Sequence, residues 1–380
     1  MIRNKQNIFF HNQTTGKIID EIWPLLTIEN IKMINPDNFA YNIKKGLINR
    51  NEWNSLIEKI IPVYDGMEMD LSNKMFYEKK FVPSNKEYDF KSFLETAEKY
   101  FQGFSNRKIA VQLSGGLDSS IIIGLLSYFN IPFSLIGMTS NRYEFRTEKK
   151  IQEILANSSA SVILIDFAEH LPLFEMDKAP VSQQPDLSII NISADLAMAK
   201  ACEKLDIEIL FSGFGGDVLF ATEVPSSNNK CEWKPQLFYD SWLIDLVYKP
   251  HNVNLIPFYA NPEIMNAIYN LRRGKKEDIQ KKWARNFFKK ILPPELINYT
   301  YVADFWGLYI LGLLNNLDTI QKLHQRAFEI TSSPYFSNEN FIKHVLKADL
   351  YSGKKEVYQP IEARIAYTAW LNTLRLNRIL

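Results

Sequence analysis

Cysteine is nearly absent from this chain. Two occur in 380 residues, Cys202 and Cys231. That is too few for a disulfide framework or a four-cysteine zinc site, and a reducing cytoplasm is the compartment that fits. Long apolar runs are missing as well. The longest, Trp306 to Leu314, falls well short of the roughly 20 residues that a membrane-spanning helix needs. Ile8-Phe9-Phe10 stops at His11, so no secretory h-region is expected at the N-terminus. Charge of either sign is not in excess: the net value is +1. This gives no electrostatic case for nucleic acid or an anionic membrane as the main partner. Internal repeats and low-complexity tracts are also lacking. What is present is 46% apolar and 23% charged, the composition of a globular protein with room for two or three domains.

One stretch organises the rest: Ser114-Gly115-Gly116-Leu117-Asp118-Ser119-Ser120. The apolar run Ile109 to Leu113 leads in and reads as a buried strand. Ile121 to Leu126 leads out and reads as a helix start. The paired glycines permit a tight bend and close approach of backbone to a ligand. The helix start offers N–H groups and a partial positive charge. The hydroxyls of Ser114, Ser119 and Ser120 add donors, and together these form a phosphate cradle. Asp118 repels phosphate unless a cation lies between, so it is read as a Mg²⁺ ligand. The bland alternative is a glycine–serine turn that binds nothing.

Downstream the chain alternates. Strands are predicted at Phe133–Met138, Val162–Asp166 and Ile207–Phe211, with helices at Glu144–Leu155 and Ile192–Leu205. A helix over Phe90 to Phe101 precedes the first strand. The expected fold is α/β, a parallel sheet with helices on both faces, and its ligands bind beyond the carboxyl ends of the strands. A second glycine-rich turn, Ser212-Gly213-Phe214-Gly215-Gly216-Asp217, follows one of those strands. From Val218 the pattern becomes helical and rich in aromatics, with helices expected over Ile264–Leu271, Ile279–Ile291 and Leu308–Leu317. Those aromatics read as core before stacking platform. Residues 1–88 mix short apolar runs and turns, with a hairpin edge over Val63–Leu71, and carry no visible chemistry. The predicted division is a short N-terminal domain, 1–88, and a nucleotide-binding domain, 89–380, whose C-terminal part is helical.

The SGGLDSS loop resembles the pyrophosphate loop of ATP pyrophosphatases, and its pairing with SGFGGD resembles the synthetase domain of the asparagine synthetase family. β-Lactam synthetase, carbapenam synthetase and lasso-peptide cyclases are members of that family. Ile256-Pro257-Phe258-Tyr259-Ala260-Asn261 is similar to the family's PFLD segment, Lys289–Leu296 to its LP-x-E segment, and Glu148 falls where the family has an acidic pair. Residues 35–82 resemble the last third of its glutaminase-like domain. The resemblance implies that Asp118 and Asp217 hold Mg²⁺ on ATP. It implies that Leu113, Ser114, Gly115, Gly116, Ser119, Ser120, Ser212 and Gly213 bind the nucleotide.

Four departures shape the expected activity. Residue 2 is Ile2, not the nucleophilic cysteine of the amidotransferases, so release of ammonia from glutamine is not expected. Phe214 stands where relatives place Glu or Tyr. Tyr301 takes the slot of a catalytic Lys, leaving Lys289, Lys290, Arg272 and Arg273 as candidate replacements. Val218 replaces a Glu. The Arg272–Lys276 run otherwise reads as a solvated turn, His170 and His251 read as structural or surface residues, and Gln183-Gln184-Pro185-Asp186 as pocket lining or a helix entry. The resemblance implies an ATP-dependent ligase that adenylates a carboxylate and joins it to an amine, foremost a peptide macrocyclase of the lasso type. Its expected partners are a carboxylate substrate such as a precursor peptide, a leader-peptide protease and a leader-binding protein. The alternatives are amidation of a small acid with ammonia, and a non-catalytic ATP-binding subunit.

Overall fold

The computed structural model describes residues 9–12, 18–19, 60–63, 67–70, 75–78, 84, 86–182, 185–221, 246–276, 278–298, 305–332, 336–337, 339, 341 and 355–376. The first strands are β1 (Phe9–Asn12), β2 (Ile18–Ile19) and β3 (Ile60–Val63), an antiparallel sheet in the order β2-β1-β3. β4 (Met67–Asp70) and β5 (Met75–Glu78) form a separate antiparallel hairpin, with Asp70 opposite Met75. The alternation expected over Val63–Leu71 is thus divided between the end of β3 and all of β4.

Helix α1 (Phe90–Gln102) opens on a capping box: Asp89 accepts from the Ser92 amide at 2.7 Å, and Ser92 Oγ accepts from the Asp89 amide at 2.8 Å. Such a cap contributes about 1 kcal/mol. Phe93, Leu94, Ala97 and Phe101 fall on one buried face. The chain then runs through β6 (Ile109–Gln112), α2 (Leu117–Tyr128), β7 (Ser134–Thr139), α3 (Arg146–Ala156), β8 (Ser161–Asp166), α4 (Ile192–Lys204), β9 (Ile209–Ser212), α5 (Gly216–Ala221) and β10 (Asn254–Pro257). It ends in helices α6 (Pro262–Arg272), α7 (Lys282–Phe287), α8 (Pro294–Ile297), α9 (Trp306–Asn315), α10 (Leu317–Thr331) and α11 (Lys355–Leu376).

β6 to β10 form one five-stranded sheet, all parallel, in the order β10-β9-β6-β7-β8. Side chains alternate across it. Ile109, Val111 and Leu113 enter a core with α1, α2 and α6, while Ala110 enters a second core with α4, α10 and α11. The sheet is therefore covered on both faces, as the sequence predicts. The winding reverses between β6 and β9, and ligands in such sheets bind at that reversal.

Two differences from the sequence reading stand out. β10 was expected as part of the helical region, yet Leu255 and Ile256 pair with Leu210 and Phe211 and complete the sheet. The helix expected over Ile279–Ile291 shrinks to α7, because Lys281 adopts a left-handed conformation (φ 52°) that a helix cannot continue through. Among the described residues no helix is long and apolar enough to cross a membrane.

Candidate active site

The two glycine-rich loops leave β6 and β9 side by side, at the reversal. In the first, Gly115 has φ 78°, and a Cβ there would lie 2.4 Å from the Glu148 carbonyl. Only glycine fits both demands. Ser114 Oγ accepts from the Gly116 amide at 3.1 Å and lies 2.8 Å from Ser119 Oγ, while Ser120 Oγ donates to the Gly116 carbonyl at 2.7 Å. The serines thus lock the turn. Ser120 is fully buried, so its hydroxyl belongs to the scaffold. Gly116 caps α2 without a side-chain bond, so the positive end of that helix faces the loop.

The second loop packs onto the first. A Cβ on Gly216 would come within 2.4 Å of Asp118 Cγ, and one on Gly213 within 2.9 Å of the Ser119 amide. Ser212 is buried, and its Oγ accepts from the Phe214 amide at 3.1 Å. Tyr259, in the segment after β10, donates its hydroxyl to the Asp118 carbonyl at 2.8 Å. Its ring packs edge-on against Phe220, which also touches Phe288 and Trp283. Phe220, Tyr259 and Phe288 are thus buried in the first core, with Trp283 packed against it.

Asp118 and Asp217 converge on one point, and Lys281 Nζ occupies it. The ammonium donates to Asp118 Oδ1 at 2.8 Å and Oδ2 at 2.7 Å, and pairs with Asp217 Oδ1 at 2.5 Å. The pair is asymmetric: the Asp118 side chain is 15% exposed and that of Asp217 87%. Burial pushes the Asp118 carboxyl up to about 6 against the pull of Lys281, and the Asp217 charge adds to the rise. Burial works to lower the Lys281 pKa, but the two carboxylates outweigh it and hold the ammonium above its ordinary range. A spot that already stabilises a positive charge with hard oxygen donors fits Mg²⁺, which takes one or two carboxylates plus phosphate oxygens and water. Among the described residues no cluster of three or more His, Cys, Asp or Glu offers a metal site.

A cavity of about 160 Å³ opens beside the first loop, at the carboxyl ends of β6 and β7. Leu113 and Ser114 border it on the loop side, and Met138, Phe145, Phe167 and Phe305 give it apolar walls. Gln152 braces it by donating to the Leu113 and Met138 carbonyls at 3.0 and 2.7 Å. An apolar slot next to an anion cradle suits a planar base carrying phosphates.

Residues 101–238 match the family model described as asparagine synthase. That stretch is similar to the asparagine synthetase family. A probable glutamine-hydrolysing asparagine synthetase of Acanthamoeba polyphaga mimivirus is 25% identical over 267 residues, covering 64% of this chain and 48% of that protein. The chain thus spans about half the length of that relative. Among solved structures, an NMN synthetase from Francisella tularensis gives a TM-score of 0.28 at 10% identity, over 60% of this chain and 95% of that one. An NAD⁺ synthetase from Burkholderia pseudomallei gives 0.26 at 13% identity, over 65% and 93%.

The two glycine-rich loops bring together Leu113–Gly116, Asp118–Ser120, Ser212, Gly213 and Asp217. Tyr301 lies outside the described residues, as do Gln183 and Gln184. Asn261, similar in place to the family's Asp, caps α6 through the Glu263 and Ile264 amides instead of joining the carboxylates. Asp186 caps a helical turn through the Ser188 amide. His170 pairs with Ser193 and His251 with Glu203, both structural.

The Arg272–Lys276 reading needs correction at its first residue. Arg272 is fully buried and donates to the Leu219 carbonyl at 2.6 Å, so it is scaffold, neither solvated nor a reserve charge. Arg273 ties to Asn270 and Ser84, Lys290 lies over Phe90, and Lys289 is exposed. The cation at the site is Lys281, which sequence reasoning missed. In the sequence Tyr259 stands out only within the Ile256–Asn261 motif. A lysine in the polar stretch Lys275–Lys282 carries no local mark; only the turn that aims it does.

Proposed function

We propose that this chain is an ATP-dependent carbon–nitrogen ligase that activates a carboxylate as its adenylate and passes the acyl group to an amine. The observation that carries this reading is the convergence of Asp118 and Asp217 on one cation position, beside a glycine-rich anion cradle and a base-sized cavity. In the first step a substrate carboxylate oxygen attacks the α-phosphorus, the α–β bridge bond breaks, and pyrophosphate leaves. In the second the amine attacks the acyl carbon, loses a proton, and AMP departs. Mg²⁺ held by the two carboxylates would neutralise charge growing on the leaving pyrophosphate.

The chain's own groups do the rest. The first loop and the N-terminus of α2 orient the phosphates. Gly216 and Tyr259 hold Asp118 in place. Lys281 supplies positive charge to the reacting phosphates, the role that Lys289, Lys290, Arg272 and Arg273 do not fill.

The finer reading is a peptide macrocyclase of the lasso type, whose acyl and amine groups belong to one precursor peptide. Phe214, 52% exposed on the second loop, and Phe305, 48% exposed beside the cavity, support it, since a peptide would cover apolar groups that a small acid leaves wet. A protease and a leader-binding protein are the partners that go with it. The test is exchange of labelled pyrophosphate into ATP with candidate acids and peptides, in wild type and Asp118→Asn. Exchange is expected in wild type, with a loss of at least about a hundredfold in the variant at unchanged circular dichroism. Equal exchange in both removes the metal role, and ATP binding without exchange for any acid favours a non-catalytic nucleotide-binding protein.

A further inference from the structure

We infer that Lys281 is the resident counter-ion of this site: its ammonium bars a free divalent cation from the Asp118–Asp217 pair, so that the metal enters only together with the nucleotide. This rests on the reading of those carboxylates as metal ligands and adds an order of binding to it.

The geometry that points there is the way the ammonium is delivered. Lys281 is 9% exposed and makes contact with both carboxylates, both oxygens of Asp118 included. Its backbone is set by a stiff turn. The Asp278 amide donates to the Ala221 carbonyl at 2.7 Å, which ties the turn to the end of α5, just past the second loop. The Lys281 amide donates back to the Asp278 carbonyl at 2.8 Å, and Asp278 Oδ2 accepts from the Trp283 amide at 2.9 Å. Trp283 is anchored in turn by stacking on Phe287. The left-handed φ of 52° aims the side chain inward. A surface lysine that swings freely loses much rotamer freedom on pairing; this one has lost most of it already through the turn.

Charge then decides the order. Asp118 and Asp217 carry two negative charges, Lys281 returns one positive, and the Arg285 charge also acts on Asp118. A free divalent ion entering the same spot meets the ammonium at close range in a partly buried place, where repulsion is little screened. It must push Lys281 out, and Lys281 then leaves its only described anionic partners for nothing equivalent. A metal–nucleotide complex changes that balance. Its phosphate oxygens give the displaced ammonium a new anionic partner within reach of the same turn. The exchange is therefore favourable with the nucleotide and unfavourable without it.

The experiment uses Mn²⁺ as the probe, read by the electron paramagnetic resonance of the free ion. α,β-Methylene-ATP is the nucleotide, because the bond to be cut is replaced and no turnover occurs. Wild type is expected to take up Mn²⁺ at this site only when the analogue is present. Lys281→Met, close in volume, is expected to take it up without the analogue, at least about tenfold more tightly than wild type, and Lys281→Met with Asp118→Asn is expected to lose it. Wild type binding Mn²⁺ alone, at a site lost in Asp118→Asn, overturns the inference and leaves the metal role standing. So does a folded Lys281→Met that still needs the analogue. If no form binds Mn²⁺ even with the analogue, the metal reading of the carboxylates fails and the inference falls with it. Should Lys281→Met not fold, the wild-type titration with and without analogue decides alone.

Discussion

Gly216→Ala isolates the packing of the two loops. Gly216 is the first residue of α5 and its φ is not positive, so the backbone itself accepts alanine, and helix propensity even favours it by up to about 1 kcal/mol. The obstacle is one neighbour. The new methyl would stand 2.4 Å from Asp118 Cγ and 2.7 Å from Oδ2, against a contact distance of about 3.5 Å or more for carbon pairs. A shift of about 1 Å is therefore needed, and Asp118 has little room to give. Its carboxylate is held by Lys281 at 2.7 and 2.8 Å, and its carbonyl by Tyr259 at 2.8 Å. The relaxation costs about 1–3 kcal/mol of stability, visible as a modest drop in Tm. The functional loss is larger, since a misplacement of about 1 Å costs roughly a hundredfold in rate. Gly124→Ala is the control. Its methyl meets the Ile291 carbonyl at 2.3 Å, in the core, so it lowers Tm without a direct push on Asp118. Pyrophosphate exchange and thermal melts on both variants make the comparison. If Gly216→Ala keeps wild-type exchange at full ATP affinity, Asp118 does not need its observed position, and the reasoning about the metal pair is wrong.

Tyr259→Phe deletes the hydroxyl that bonds the Asp118 carbonyl from a fully buried position. It is expected to cost about 1 kcal/mol by denaturant unfolding and to weaken metal–nucleotide binding less than Asp118→Asn does. Asp195, on α4, is buried beside Asp186 and accepts from Tyr248 Oη at 3.3 Å; burial pushes its carboxyl up to about 7 from an unfolded value of 3.8. The native state then holds this proton where the unfolded chain has lost it, so stability should fall as pH rises through that window. The loss is on the order of 4 kcal/mol and is complete above pH 7. Asp195→Asn should flatten that slope in melts across the range; a slope unchanged by the substitution refutes the assignment.

Much of the sheet was legible because its signals are local. β6 to β9 are short apolar runs bounded by turn residues, and the strand ends shift by only one or two positions from those predicted. The first glycine-rich loop was legible as a turn because its paired glycines lie between a strand and a helix start, a signal that is local. β10 was not, since Asn254-Leu255-Ile256-Pro257 is four residues long and ends in proline; its pairing with β9 comes from tertiary context alone. Lys281 was hidden for the same reason. Its meaning depends on a left-handed turn and on carboxylates 163 residues away in sequence for Asp118 and on another loop for Asp217. Arg272 misled in the opposite direction. A run of basic residues suggests solvent, yet its first member fills a buried gap and satisfies a helix-end carbonyl.

The indole of Trp370 on α11 donates to the Ser182 carbonyl at 2.7 Å, joining positions 188 residues apart. During translation the sheet and its first core can close early, but this contact has to wait. At roughly 5–20 residues per second, elongation takes about 10–40 seconds to bring the tryptophan out of the ribosome after the serine. Through that interval the buried turns Met176–Lys178 and Leu187–Asn191 lack α11, the helix that packs on them. The nascent chain therefore has a period of stickiness built into its connectivity, and chaperone capture or slow synthesis should govern its yield more than the final stability does.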